Sequence, residues 1–192
     1  MNICIYGSSS EKINKNYLDK TYSLAAKMAQ KGHALVFGGG ARGVMGASAR
    51  GAYDNGGKII GISPSFFDVD GVLFDKCTEL IYTETMRERK LILEYTSDAF
   101  VIAPGGLGTF DEFFEILTLK QLEKHNKPIV IFNVDGYYDE LLAFLQKGAH
   151  ESFMKDKSLT LFKCLTDEDE IIKYIETYDE PALDISQLKE FV

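Results

Sequence analysis

Short apolar runs alternate along the chain with longer segments in which apolar residues recur every three or four positions. Residues 3–6, 34–37, 58–62, 99–103 and 129–133 read as strands, with 79–82 a shorter one. The intervening periodicity predicts helices over 13–30, 44–53, 85–96, 110–122, 137–149 and 167–178. In the first of these, Tyr17, Leu18, Leu24, Ala25 and Met28 share one face, and Gly32 stands just beyond as a stop. Residues 63–76 read as a loop and 181–192 as a polar C-terminal tail.

Strands that alternate with helices predict an α/β fold, a mostly parallel sheet with helices on both faces. No linker or long repeat interrupts the pattern, so a single domain over 1–192 is expected. In such sheets ligands bind beyond the carboxyl ends of the strands. Three small-residue turns stand at those ends: Gly7-Ser8-Ser9, Gly38-Gly39-Gly40 and Pro104-Gly105-Gly106. The two glycine-rich ones read as one device used twice.

Composition narrows the choice. At 192 residues and 45% hydrophobic, the chain is long enough for one real core. With 21 basic against 29 acidic residues the net charge is −8, which argues against a nucleic-acid partner held by phosphate neutralisation. It leaves room for a small anion in a local basic pocket. Cys4, Cys77 and Cys164 are far apart, and with His33, His125 and His150 they form no ligand spacing, so no metal is expected. Free thiols in a reducing cytoplasm fit this usage. The first residues lack the pattern of a secretory leader and no run reaches the length of a membrane span, so no membrane partner is expected.

Gly38, Gly40 and Gly43 make a formal G-x-G-x-x-G, but it follows the second strand and no carboxylate stands about 20 residues on, so a dinucleotide site is disfavoured. Close strand–helix packing and close approach to a phosphate both remain open for this run. Pro104-Gly105-Gly106-Leu107-Gly108-Thr109 ends a strand with uncovered backbone N–H groups, and Thr109 is expected to open a helix whose positive end faces the same place. No Gly-Lys-Ser/Thr follows, so ATP hydrolysis is not implied.

Glu112 has two readings. Thr109-x-x-Glu112 is a capping box, which would spend the carboxylate on backbone. Alternatively, an acid one turn from an anion cradle stands beside a bound sugar, to steady positive charge or accept a proton. Glu115 lies one turn further on. The cluster Met86-Arg87-Glu88-Arg89-Lys90 sits in the first turns of its helix, where cations oppose the dipole and an anionic ligand would repay them. Asp68 and Asp70, in DVDGVLFD, look like the first motif of the haloacid-dehalogenase-type phosphatases. Pro64 breaks the strand that motif requires, which leaves a Mg²⁺-dependent phosphatase as an alternative only. His125, in a helix-ending turn, reads as a surface residue rather than a base.

Together these residues resemble the LOG family, the cytokinin riboside 5′-monophosphate phosphoribohydrolases, members of which are often labelled lysine decarboxylases. P-G-G-x-G-T-x-x-E is matched by Pro104 to Glu112, M-x-x-R-K by Met86, Arg89 and Lys90, and G-S-S by Gly7-Ser8-Ser9. G-G-G-x-x-G-x-M-G is matched by Gly38 to Gly46, and Asn133 to Tyr138 is similar to the family's late strand–helix junction. The resemblance implies a homodimeric Rossmann-like fold that hydrolyses a purine nucleoside 5′-monophosphate, with an N6-modified adenosine as base carrier, to free base and ribose 5-phosphate. Glu112 and Arg89 would be the catalytic pair. Gly105, Gly106, Leu107, Gly108 and Thr109 would grip the phosphate, with Gly7, Ser8, Gly39, Gly40, Met86, Lys90, Glu115 and Thr118 as further substrate contacts. No cofactor is implied, and no lysine suggests itself for pyridoxal chemistry. Arg87 stands where many members carry His, and Tyr6 where many carry Cys. A non-catalytic nucleotide carrier on the same fold is the other alternative.

Overall fold

The computed structural model describes residues 1–179 and Leu188; the expected polar tail, 181–192, otherwise lies outside the described residues. Strands β1 (Asn2–Tyr6), β2 (Ala34–Phe37), β3 (Ile59–Pro64), β4 (Glu79–Thr83), β5 (Ala99–Ile102), β6 (Ile129–Phe132) and β7 (Lys163–Leu165) form one sheet in the order β4-β3-β2-β1-β5-β6-β7. Every pairing is parallel. The chain lays strands outward from β1 to one edge, then returns to the other side of β1 with β5. The point of reversal, between β1 and β5, is where such sheets open a crevice.

Helices α1 (Lys15–Gln30), α2 (Gly43–Asp54) and α6 (Glu168–Glu176) cover one face; α3 (Met86–Thr96), α4 (Leu107–Gln121) and α5 (Asp139–His150) cover the other. Strand alternation explains the division. Ile3 and Ile5 of β1 point into the first core with Leu35, Phe37 and Val101, whereas Cys4 and Tyr6 point into the second with Val36, Phe100 and Ile102. Because both faces are covered, the central strands are apolar throughout, which is why they read as continuous runs.

The fold is the single α/β, Rossmann-like domain expected, with differences at particular places. β7, only three residues long and containing Lys163, had no periodicity to reveal it. In 63–76, β3 runs on to Pro64, a short 3-10 turn follows at Ser65–Phe67, and Gly40 bridges antiparallel to Leu73. His125 is half-buried rather than a surface residue: its Nε2 lies 2.8 Å from the Ile116 carbonyl, and its Nδ1 accepts from Lys127 N–H. Burial lowers the pKa of this ring to about 4, against the bond to the Ile116 carbonyl and with help from the nearby Lys127 and Lys120. The largest change is at α4, which starts at Leu107 rather than near Phe110.

Candidate active site

A cleft of about 630 Å³ opens at the carboxyl ends of β1, β2, β3 and β5. That volume suits a small molecule. Its floor carries Arg89 and Glu112, both almost buried. Arg89 stands in the first turn of α3 and Glu112 in the second turn of α4. The guanidinium donates from Nη1 to Glu112 Oε1 at 2.7 Å and from Nε to the Ile62 carbonyl, at the end of β3, at 3.1 Å. Desolvation pushes the Glu112 carboxyl above the ordinary glutamate value, and Arg89 opposes that shift.

The capping-box reading of Glu112 is overturned. Gly106 is the N-cap of α4, with no side-chain cap, and Thr109 lies inside the first turn. Glu112 is therefore not spent on the Thr109 backbone; its bond goes across to Arg89. The earlier start also leaves the amino end of α4, Gly106 to Thr109, on the cleft wall. The first N–H groups of a helix have no intrahelical acceptor, and the dipole adds positive potential. That end is suited to an anion.

Gly7, Ser8, Gly40, Met86, Arg89, Gly106, Leu107, Gly108, Thr109 and Glu112 are brought together around this cleft. Gly39, Gly105, Lys90, Glu115 and Thr118 are not on its wall. Lys90 turns out of it, between Asp111 at 3.0 Å and Glu115. Thr118 faces a separate groove of about 740 Å³ between α4 and α5. Gly105 lies behind the wall, where a Cβ would meet Thr109 Oγ1 at 2.1 Å. Asp68 and Asp70 do not line the cleft; Asp68 interacts with the Tyr82 hydroxyl instead.

Ser9, Gly38, Arg42, Met45, Ser63, Phe67, Val72, Leu73 and Asp111 complete the lining, and none of them was named as a substrate contact from the sequence. Phe67, Val72 and Leu73 carried a usable signal, namely large apolar residues inside a loop. They and the two methionines supply the large apolar side chains of the lining besides Leu107. Among the described residues on the cleft wall none is a lysine, which a pyridoxal-dependent decarboxylase needs for its Schiff base. The residues present do not fit that cofactor. Among the described residues no group of His, Cys, Asp or Glu is arranged to hold a metal ion, and no helix is long and apolar enough to cross a membrane.

A crevice at the sheet's reversal point, an acid–guanidinium pair on its floor and a helix amino end on its wall define an α/β protein with a cleft suited to a small anion. The model of the family described as "Possible lysine decarboxylase" matches residues 45–175. A probable cytokinin riboside 5′-monophosphate phosphoribohydrolase of rice, LOGL5, is 33% identical over 187 residues, 97% of this chain and 76% of that protein. The Arabidopsis thaliana cytokinin riboside 5′-monophosphate phosphoribohydrolase LOG2 is 33% identical over 92% of this chain and 83% of its own. The chain belongs to this family, the LOG family. In fold it is similar to the molybdenum cofactor binding protein of Rippkaea orientalis, with a TM-score of 0.69 and 24% identity over 92% of this chain and 94% of that one.

Proposed function

We propose that the protein hydrolyses the N-glycosidic bond of a purine nucleoside 5′-monophosphate, releasing free base and ribose 5-phosphate. The observation that carries this is the Arg89–Glu112 pair, set beside the open amino end of α4. The 5′-phosphate would sit on the N–H groups of Gly106 to Thr109, and its remote binding energy would hold the sugar over Glu112. The base would lie against Met45, Phe67, Val72, Leu73 and Met86, an apolar wall suited to a purine bearing an N6 alkyl substituent.

Water attacks C1′ as the C1′–N bond breaks, and the electron pair of that bond leaves with the purine, which takes up a proton from solvent to become the free base. Glu112 as carboxylate steadies positive charge on the ribose and accepts the proton of the attacking water. Arg89 favours the ionised form of that acid against the effect of burial and offers positive charge to a departing anion.

A homodimer is part of the proposal. Leu91 and Tyr95 on α3 and Phe114 on α4 are exposed apolar side chains on neighbouring helices, a surface suited to a second copy. Light scattering on the protein and on Tyr95→Glu tests it; a mass that the variant leaves unchanged speaks against this face.

The activity is tested by incubating the protein with AMP and with an N6-prenylated AMP and assaying free base. Release that Glu112→Gln abolishes while the variant still binds AMP supports the proposal. Binding without turnover by the unaltered protein would make it a nucleotide carrier. Release of inorganic phosphate dependent on Mg²⁺ and Asp68 would make it a phosphatase.

A further inference from the structure

Three consecutive carbonyls of the turn after β5 each have a dedicated donor. Ala103 O accepts from the Tyr138 hydroxyl at 2.8 Å, Pro104 O from Ser8 N–H at 3.1 Å, and Gly105 O from the Tyr137 hydroxyl at 2.7 Å. The third bond governs the cleft wall. Gly105 C=O and Gly106 N–H belong to one peptide, which is trans like all others among the described residues, so the two groups point in opposite directions. Holding the carbonyl back on Tyr137 turns the N–H forward, and it is Gly106, not Gly105, that faces the cleft.

The tyrosine is itself set by a stiff junction. Asp135, at φ 52°, accepts from Asn16 Nδ2 at 2.7 Å, and Asn133 bridges Tyr138 N–H and Asp139 at 2.7 Å each. The Tyr137 ring stands edge-on to Tyr17 at 5.5 Å and to Tyr138 at 4.9 Å. These contacts belong to the ring, so the hydroxyl's remaining task is the Gly105 carbonyl. A peptide between two glycines has little else to fix its plane. If it turned over, it would present an oxygen to the anion.

We propose that Tyr137 is a positioning residue for the phosphate seat: its hydroxyl fixes the Gly105–Gly106 peptide so that Gly106 N–H is offered to the 5′-phosphate. This rests on the phosphate seat of the proposed function. It assigns a purpose to the Asn133–Tyr138 junction that the hydrolytic step does not use.

The test is Tyr137→Phe, which keeps the ring and removes one oxygen. Dissociation constants for AMP and for adenosine are measured calorimetrically in both proteins, with kcat/KM for each where turnover is seen and thermal midpoints as a check on folding. The expected result is a preference for AMP over adenosine that falls about tenfold in the variant, equivalent to about 1.4 kcal/mol, with adenosine binding unchanged. Ribose 5-phosphate as a competitor should weaken by a similar factor. A merely structural role would weaken AMP and adenosine alike, and that outcome overturns the proposal. So does a variant that keeps the full preference of the unaltered protein. If the unaltered protein does not prefer AMP to adenosine, the phosphate seat itself fails, and Tyr137's role falls with it.

Discussion

The two glycine turns on the cleft rim use the same residue for opposite purposes. After β2, the Gly38-Gly39-Gly40 run commits its backbone: Gly39 O accepts from Phe74 N–H, Ala41 N–H donates to Val72 O, and Gly40 bridges Leu73. What the run leaves open is space, since a Cβ on Gly38 would lie 1.9 Å from Arg89 Nη2. After β5, the Pro104-Gly105-Gly106 turn ties back its carbonyls and delivers the amino end of α4 to the cleft wall. One turn makes room for a side chain; the other puts backbone to use. The expectation of a single device used twice is corrected here, because a glycine run in sequence does not say whether its hydrogen bonds are spent.

Six substitutions would break or sharpen that contrast, taken from the largest expected effect downward. Glu112→Gln, at the point where both turns direct their groups, should lower base release by about 10³-fold while AMP binding persists; single-turnover assay and calorimetry read the two parts. Gly38→Ala should lower kcat about 10²-fold by pushing the guanidinium off its seat, since a misplacement near 1 Å is enough for that. A Gly38→Ala protein with unaltered kcat would show that Arg89 tolerates displacement, and the space-making role would fail.

Gly105→Ala should act on stability instead, costing about 1–3 kcal/mol in a denaturant titration because Thr109 is branched and cannot retreat. Gly106→Ala is its control: nothing lies within 4 Å of the added Cβ, so stability should stay within about 0.5 kcal/mol.

The pH profile offers a smaller effect. Burial raises Glu112 above the ordinary 4.5, against the pull of Arg89, so the acid limb of kcat/KM should lie above that value. Activity that needs the carboxylate falls as pH drops through this limb. Arg89→Met, having lost the cation that favours the ionised acid, should move the limb of its residual activity upward.

The smallest concerns His125, lowered from 6.5 to about 4 by burial. Unfolded chains bind its proton first as pH falls, so native stability is lost from about 6.5 down through about 4. His125→Gln, able to donate to Ile116 and accept from Lys127, should narrow the gap between urea midpoints at pH 7 and pH 4.5.

Much of the candidate site was legible in the sequence. Alternating apolar runs specified the parallel sheet, and the glycine turns at strand ends specified the rim, because period and chain reversal are local properties of sequence. Family motifs named Arg89 and Glu112. Thr109-x-x-Glu112 was misleading for a physical reason: a capping box is defined by spacing, while the true start of a helix depends on where the preceding turn leaves the chain. Gly106 can take the N-cap without a side chain, so α4 begins three residues early.

Amino-acid order alone determined the element types, the alternation that assigns Ile5 to one core and Tyr6 to the other, and the positions of the turns. Only the tertiary structure decided that Arg89 and Glu112 meet, that Phe67, Val72 and Leu73 join the cleft lining, and that Tyr137 holds the carbonyl of a glycine 32 residues earlier. Periodicity acts over neighbouring turns of chain. Contacts between α3, α4 and the β6–α5 junction exist only after the sheet has laid β5 beside β1.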